Sequence, residues 1–136
     1  MASNSFLTRL YKYLGRNTAA IYIALTLYWV ILFILTSIPA KSMPSLEISD
    51  KLEHFGAYLL LAFLLRLTLH FQKKYLFTYR QIVIITSVVG IIYGLFDELH
   101  QMLIPGRFFD WYDLLANTIG IILGLILSEI FIKYGR

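Results

Sequence analysis

The chain has 136 residues, of which 59% are hydrophobic, 16% aromatic and only 15% charged, with a mean hydropathy of +0.71. Soluble domains carry about 25% charged residues, so this composition excludes an ordinary soluble globule and points to a chain solvated mainly by lipid. The net charge of +4 is no nucleic-acid signal, because the positions of the basic residues matter more than their number. The absence of cysteine excludes disulfides and thiolate chemistry. The length predicts one integral membrane domain over residues 1–136.

The first element is a short one. Between Ser5 and Arg16, Phe6, Leu7, Leu10, Tyr11 and Leu14 are interleaved with Arg9, Lys12 and Arg16. This reads either as an interfacial helix or as the positive flank of the span that follows. A membrane-crossing helix needs about 20 mostly apolar residues, and four segments qualify: 19–38, 52–69, 82–104 and 114–132. The first is too long for a signal peptide, whose apolar region runs about 7–15 residues. Strict alternation is absent, which argues against a transmembrane barrel. The expectation is all-α, a four-helix transmembrane bundle with short connections.

Orientation follows from Lys and Arg. Arg9, Lys12, Arg16, Arg66, Lys73, Lys74, Arg80, Lys133 and Arg136 fall on one side, nine of the twelve basic residues. The other side receives Lys41, Lys51 and Arg107 together with Glu47, Asp50, Glu53, Asp97, Glu98, Asp110 and Asp113. Both termini are therefore expected in the cytoplasm, with the acidic loops facing outward.

Polar residues gather at that outward end. Asp50, His54 and Tyr58 lie at i, i+4 and i+8 and share a helix face, with Lys51 beside them; Asp50 is a candidate cap. The third apolar run, 82–96, has 15 residues and rises only about 22 Å. The span must therefore extend into the turns carrying Asp97, Glu98, His100 and Gln101, which puts these groups at the membrane boundary. Gly90, Gly94, Glu98 and Gln101 follow one stripe, and Asp113, Asn117, Gly120 and Gly124 follow another. Small-residue stripes let helices approach closely, so the two glycine-lined helices are expected to meet. The same faces could serve a homo-oligomer. Asp97 and His100 fit solvated or interfacial positions as well as the site. Asp110 and Arg107 complete the inventory, which holds five carboxylates against two permanent cations. Such crowding calls for compensation by a bound cation, a protonated carboxyl or a cationic ligand group.

These elements resemble the VanZ-like family of small bacterial membrane proteins. The matching residues are Asp-Lys-Leu-Glu-His at 50–54 with Tyr58, Asp-Glu-Leu-His-Gln at 97–101, and the run Pro-Gly-Arg-Phe-Phe-Asp-Trp-Tyr-Asp-Leu-Leu-Ala-Asn-Thr-Ile-Gly at 105–120. The resemblance spans roughly residues 50–124. It implies a multi-pass protein of the bacterial cytoplasmic membrane. The family's namesake is associated with resistance to teicoplanin, a lipid-bearing glycopeptide that acts at the outer face of that membrane. The resemblance marks Asp50, Lys51, His54, Glu98, Gln101, Arg107, Asp113 and Asn117 as shared positions without assigning them roles.

Three functions compete at this point. In the first, the outward polar site binds a lipid headgroup or an amphiphilic envelope ligand. Asp50, Lys51, His54, Tyr58, Glu98, Gln101, Arg107, Asp110, Asp113 and Asn117 would form the ligand site, with Arg107 and Lys51 holding phosphate or carboxylate. In the second, the protein is an enzyme on a lipid-linked phosphate, with His54, Glu98 and Asp113 as catalytic candidates. Asp97, Glu98, Asp110 and Asp113 could then hold a divalent cation. The third is a structural partner role in the cell envelope.

Overall fold

The computed structural model describes residues 6–39 and 49–136, so Lys41 and Glu47 lie outside the described residues. It holds five helices: α1 (Phe6–Arg16), α2 (Thr18–Thr36), α3 (Asp50–Phe71), α4 (Tyr79–Gln101) and α5 (Trp111–Gly135). The last four are long and apolar enough to cross a membrane. The basic N-terminal stretch forms a helix of its own, whose Leu10, Tyr11 and Leu14 pack onto a cluster built around Phe71, Phe131 and Ile132.

Local chemistry sets the boundaries. Ser49 caps α3 by accepting the Leu52 N–H (3.3 Å), so Asp50 is the first helical residue and not the cap anticipated for it. Thr78 and Gln81 form a reciprocal capping box on α4. Asp110 caps α5 through the Tyr112 N–H (2.8 Å). The third span stops at Gln101, three residues short of the expected Ile104. Hydropathy continues through Met102, Leu103 and Ile104, but a residue preceding proline avoids helical dihedrals. Gly106, at a φ of 81°, then turns the chain in a way that an L side chain resists.

Successive long helices run in opposite directions, and two ends of the bundle are distinguished by their contacts. At one end Tyr11 packs on Phe71 (ring centroids 4.9 Å) and its hydroxyl meets His70 Nε2 at 3.1 Å. The same Tyr11 lies against Gly135, so α1 and the last turn of α5 share this end. The start of α3, the end of α4 and the start of α5 make the other end, where Phe33 of α2 stacks on His100 (5.0 Å).

The glycines define the tightest seam. A Cβ at Gly120 would collide with the Phe55 carbonyl oxygen, and one at Gly124 with that of Leu59. The α5 stripe thus seats the backbone of α3 and not α4. The α4 stripe meets side chains instead: a Cβ at Gly90 would lie 2.9 Å from Ile121 Cδ1, and one at Gly94 would lie 3.4 Å from Asn117 Nδ2. Leu61, Ala62, Leu65 and Ile121 fill the centre, while Ile23, Val30, Ile92 and Ile122 project outward. Apolar side chains on the outside of a helical bundle are suited to lipid contact.

Candidate functional site

At the end remote from α1, three layers of polar side chains descend into the bundle. The outermost is built on Lys51. Its Nζ lies 2.7 Å from Asp110 Oδ2, 3.0 Å from Asp113 Oδ1 and 3.9 Å from Asp50 Oδ2. Asp110 precedes α5, and its hydrogen bond from the Lys51 ammonium holds its carboxyl below the ordinary aspartate value.

The middle layer is buried. His54, Glu98, Gln101, Asp113 and Asn117 are each at most 7% exposed. His54 Nδ1 is 3.1 Å from Asn117 Oδ1 and 3.6 Å from Glu98 Oε1. On the other side of the ring, His54 Nε2 lies 3.9 Å from both Asp50 Oδ1 and Asp113 Oδ2. Glu98 accepts the Asp110 backbone N–H (3.1 Å) on one oxygen and the Gln101 amide (3.4 Å) on the other. Gln101 in turn accepts from Arg107 Nε at 2.9 Å. The arginine beyond the Pro105-Gly106 turn is thus tied back to the helix that precedes it. Asn117 Nδ2 is buried without a partner.

The deepest layer pairs Tyr58 with Asp97: the tyrosine hydroxyl donates to Asp97 Oδ2 at 3.1 Å. Asp97 is 3% exposed, which decides against the solvated alternative for it. His100 stacks against the rings of Phe33 and Phe96.

All ten ligand-site candidates therefore lie at one end of the bundle, and His54, Glu98 and Asp113 stand together. A cleft of about 310 Å³ opens at this end, lined by five of the ten, Asp50, Gln101, Arg107, Asp110 and Asp113. Gly106 and Phe108 complete its wall. Both belong to a turn that reads in sequence as a plain connection, and only the glycine marks its sharpness. Phe108 in that wall is exposed, as are Leu103, Trp111 and Tyr112 nearby in the chain, so the segment that carries the charged lining is apolar and aromatic as well.

Among the described residues the carboxylates anticipated as a cation set do not form a group. Tyr58 engages Asp97, and Asp110 and Asp113 share Lys51. The grouping that does occur is Asp50, His54 and Asp113, whose ligand atoms all lie within 4.8 Å of one another. Oxygen and imidazole donors suit a borderline divalent ion such as zinc. The half-exposed Lys51 ammonium would have to swing away from Asp113 to admit one.

Residues 18–132 match the VanZ/LLP1 family, so the chain belongs to that family. No curated protein and no solved structure matches.

Proposed function

We propose that this VanZ/LLP1-family membrane protein is a receptor for the polar head of an amphiphile, taken up at the outer face of the cytoplasmic membrane. The observation that carries this reading is a cleft lined by both signs of charge, with the exposed aromatic side chain of Phe108 in its wall. Arg107 has a fork of donors matched to phosphate or carboxylate, and Asp50 and Asp113 offer acceptors to an ammonium or hydroxyl. Phe108, Trp111 and Leu103 suit the acyl or aryl portion that follows such a head. The outward placement rests on the excess of basic residues toward the opposite end. An amine-bearing phospholipid has the required chemistry, and so does a lipidated glycopeptide such as teicoplanin, which the family association favours by analogy.

The test is binding by the purified full chain in phosphatidylcholine nanodiscs, with phosphatidylethanolamine and teicoplanin as separate probes. At least one probe should be retained over phosphatidylcholine. Arg107→Ala and Asp113→Asn should each weaken it about tenfold, the scale of one charge-assisted hydrogen bond. Retention of neither probe over phosphatidylcholine, or unchanged binding in both variants, would overturn the proposal.

A second reading is favoured by the convergence of Asp50, His54 and Asp113: an enzyme that hydrolyses a lipid-linked phosphate. His54 Nε2 would act as general base or join a cation site. Release of phosphate or headgroup from a lipid panel, lost in His54→Ala, would support it. The same inertness in wild type and variant, with and without Zn²⁺ or Mg²⁺, would count against it.

A further inference from the structure

We propose a second, separate lipid site at the end of the bundle that holds α1. There a groove among α3, α4 and α5 binds an acidic phospholipid, with its phosphate against Arg66. Arg66 is 3% exposed, although it lies five residues inside the end of α3. Its Nη2 donates to Glu129 Oε2 at 3.0 Å and its guanidinium lies 5.5 Å from the Tyr79 ring centroid. Its Nη1 is buried with no partner.

A guanidinium presents five N–H donors, and a buried donor left unmade is costly. One exposed carboxylate that meets only one nitrogen does not explain this arrangement. A phosphate oxygen on Nη1 would. The groove measures about 500 Å³, and Arg66 and Lys133 line it against the single acid Glu129, a local charge of +1. Its remaining wall includes Val83, Ile122, Ile126 and Ile130. Ile122, Ile126 and Ile130 are about half exposed. A free phosphate gains nothing from those side chains, whereas the acyl chain of a phospholipid would cover them. Basic pockets between transmembrane helices recognise acidic headgroups by this combination of charge and apolar wall.

Native mass spectrometry of the full chain in detergent tests the site, with phosphatidylglycerol and phosphatidylcholine of equal acyl length as probes. The wild type should retain phosphatidylglycerol about tenfold more strongly. Ile126→Trp fills the acyl wall while keeping both Arg66 and Glu129 and should remove the preference. Glu129→Gln withdraws the competing carboxylate and should raise phosphatidylglycerol retention roughly threefold; a purely structural ion pair would only lower the melting temperature. Equal retention of the two lipids by the wild type overturns the proposal, as does full preference in Ile126→Trp. Displacement of phosphatidylglycerol by millimolar glycerol 3-phosphate would overturn the lipid assignment in favour of a free phosphate.

Discussion

Glu98 is completely enclosed, and its two oxygens serve different parts of the chain, the Asp110 backbone and the Gln101 amide. Glu98→Ala removes the acceptor of both donors, one of them on the buried Gln101, and should cost about 2–3 kcal/mol, whereas Glu98→Gln keeps one acceptor and should cost about 1 kcal/mol. Thermal unfolding in detergent measures the difference. Asp110 gives a pH signature. Its carboxyl is lowered from the ordinary 3.8 by Lys51, so its contribution to stability is complete above the unfolded value. That contribution is lost as the pH falls through the lower folded value. The melting temperature should drop over that acid range, and Asp110→Asn should flatten that part of the profile. At this scale the sequence is readable where helical spacing applies, as for Asp50, His54 and Tyr58. It is unreadable where a turn or a distant helix decides. Arg107 reaches Gln101 only because Gly106 reverses the chain, and Asp97 finds a tyrosine 39 residues away.

Among the helices, glycine has opposite meanings at different positions. Alanine normally favours a helix over glycine by about 1 kcal/mol. At Gly120 that gain is overridden, because a Cβ would strike the Phe55 carbonyl and a backbone cannot rotate away as a side chain can. Gly120→Ala should therefore destabilise the protein by about 2–3 kcal/mol, in the range of overpacked interiors. Gly56, in α3, has nothing within 4 Å of its would-be Cβ, and Gly56→Ala should stabilise by about 0.5–1 kcal/mol. Paired denaturation curves decide both. The four spans were legible from hydropathy alone, because lipid demands long apolar runs. The α4 stripe meets Ile121 and Asn117 of α5, as its spacing suggests, but the α5 stripe seats the backbone of α3, since a stripe names a face and not its partner. The end of α4 is not legible in hydropathy either, because Met102, Leu103 and Ile104 stay apolar up to Pro105 while the helix stops at Gln101.

In the molecule as a whole, the polar layers and α1 occupy opposite ends, an arrangement that follows from antiparallel succession of the long helices. On the reading proposed above, the basic bias gives these ends a direction across the membrane. Because the chain contains no cysteine, single cysteines can report that direction without background. Phe108→Cys, at an exposed position beside the cleft, should react with a membrane-impermeant maleimide on intact cells. Leu76→Cys, fully exposed in the connection between α3 and α4, should react only after lysis. The reverse pattern would place the cleft in the cytoplasm and remove the envelope ligand from consideration.

The close seating of α3 on α5 has a mechanical consequence. Lys51, His54, Asp113 and Asn117 ride on these two helices, whose backbones meet at Gly120 and Gly124 and leave no slack between them. Glu98, Gln101 and, through the turn, Arg107 belong to α4, which rests on this pair through the deformable side chains of Ile121 and Tyr58. The cleft thus resembles a vice with a fixed anvil and a sprung jaw. A ligand joining the two sides would pull on α4 and its trailing turn first, leaving α3 and α5 as the frame against which that movement is made.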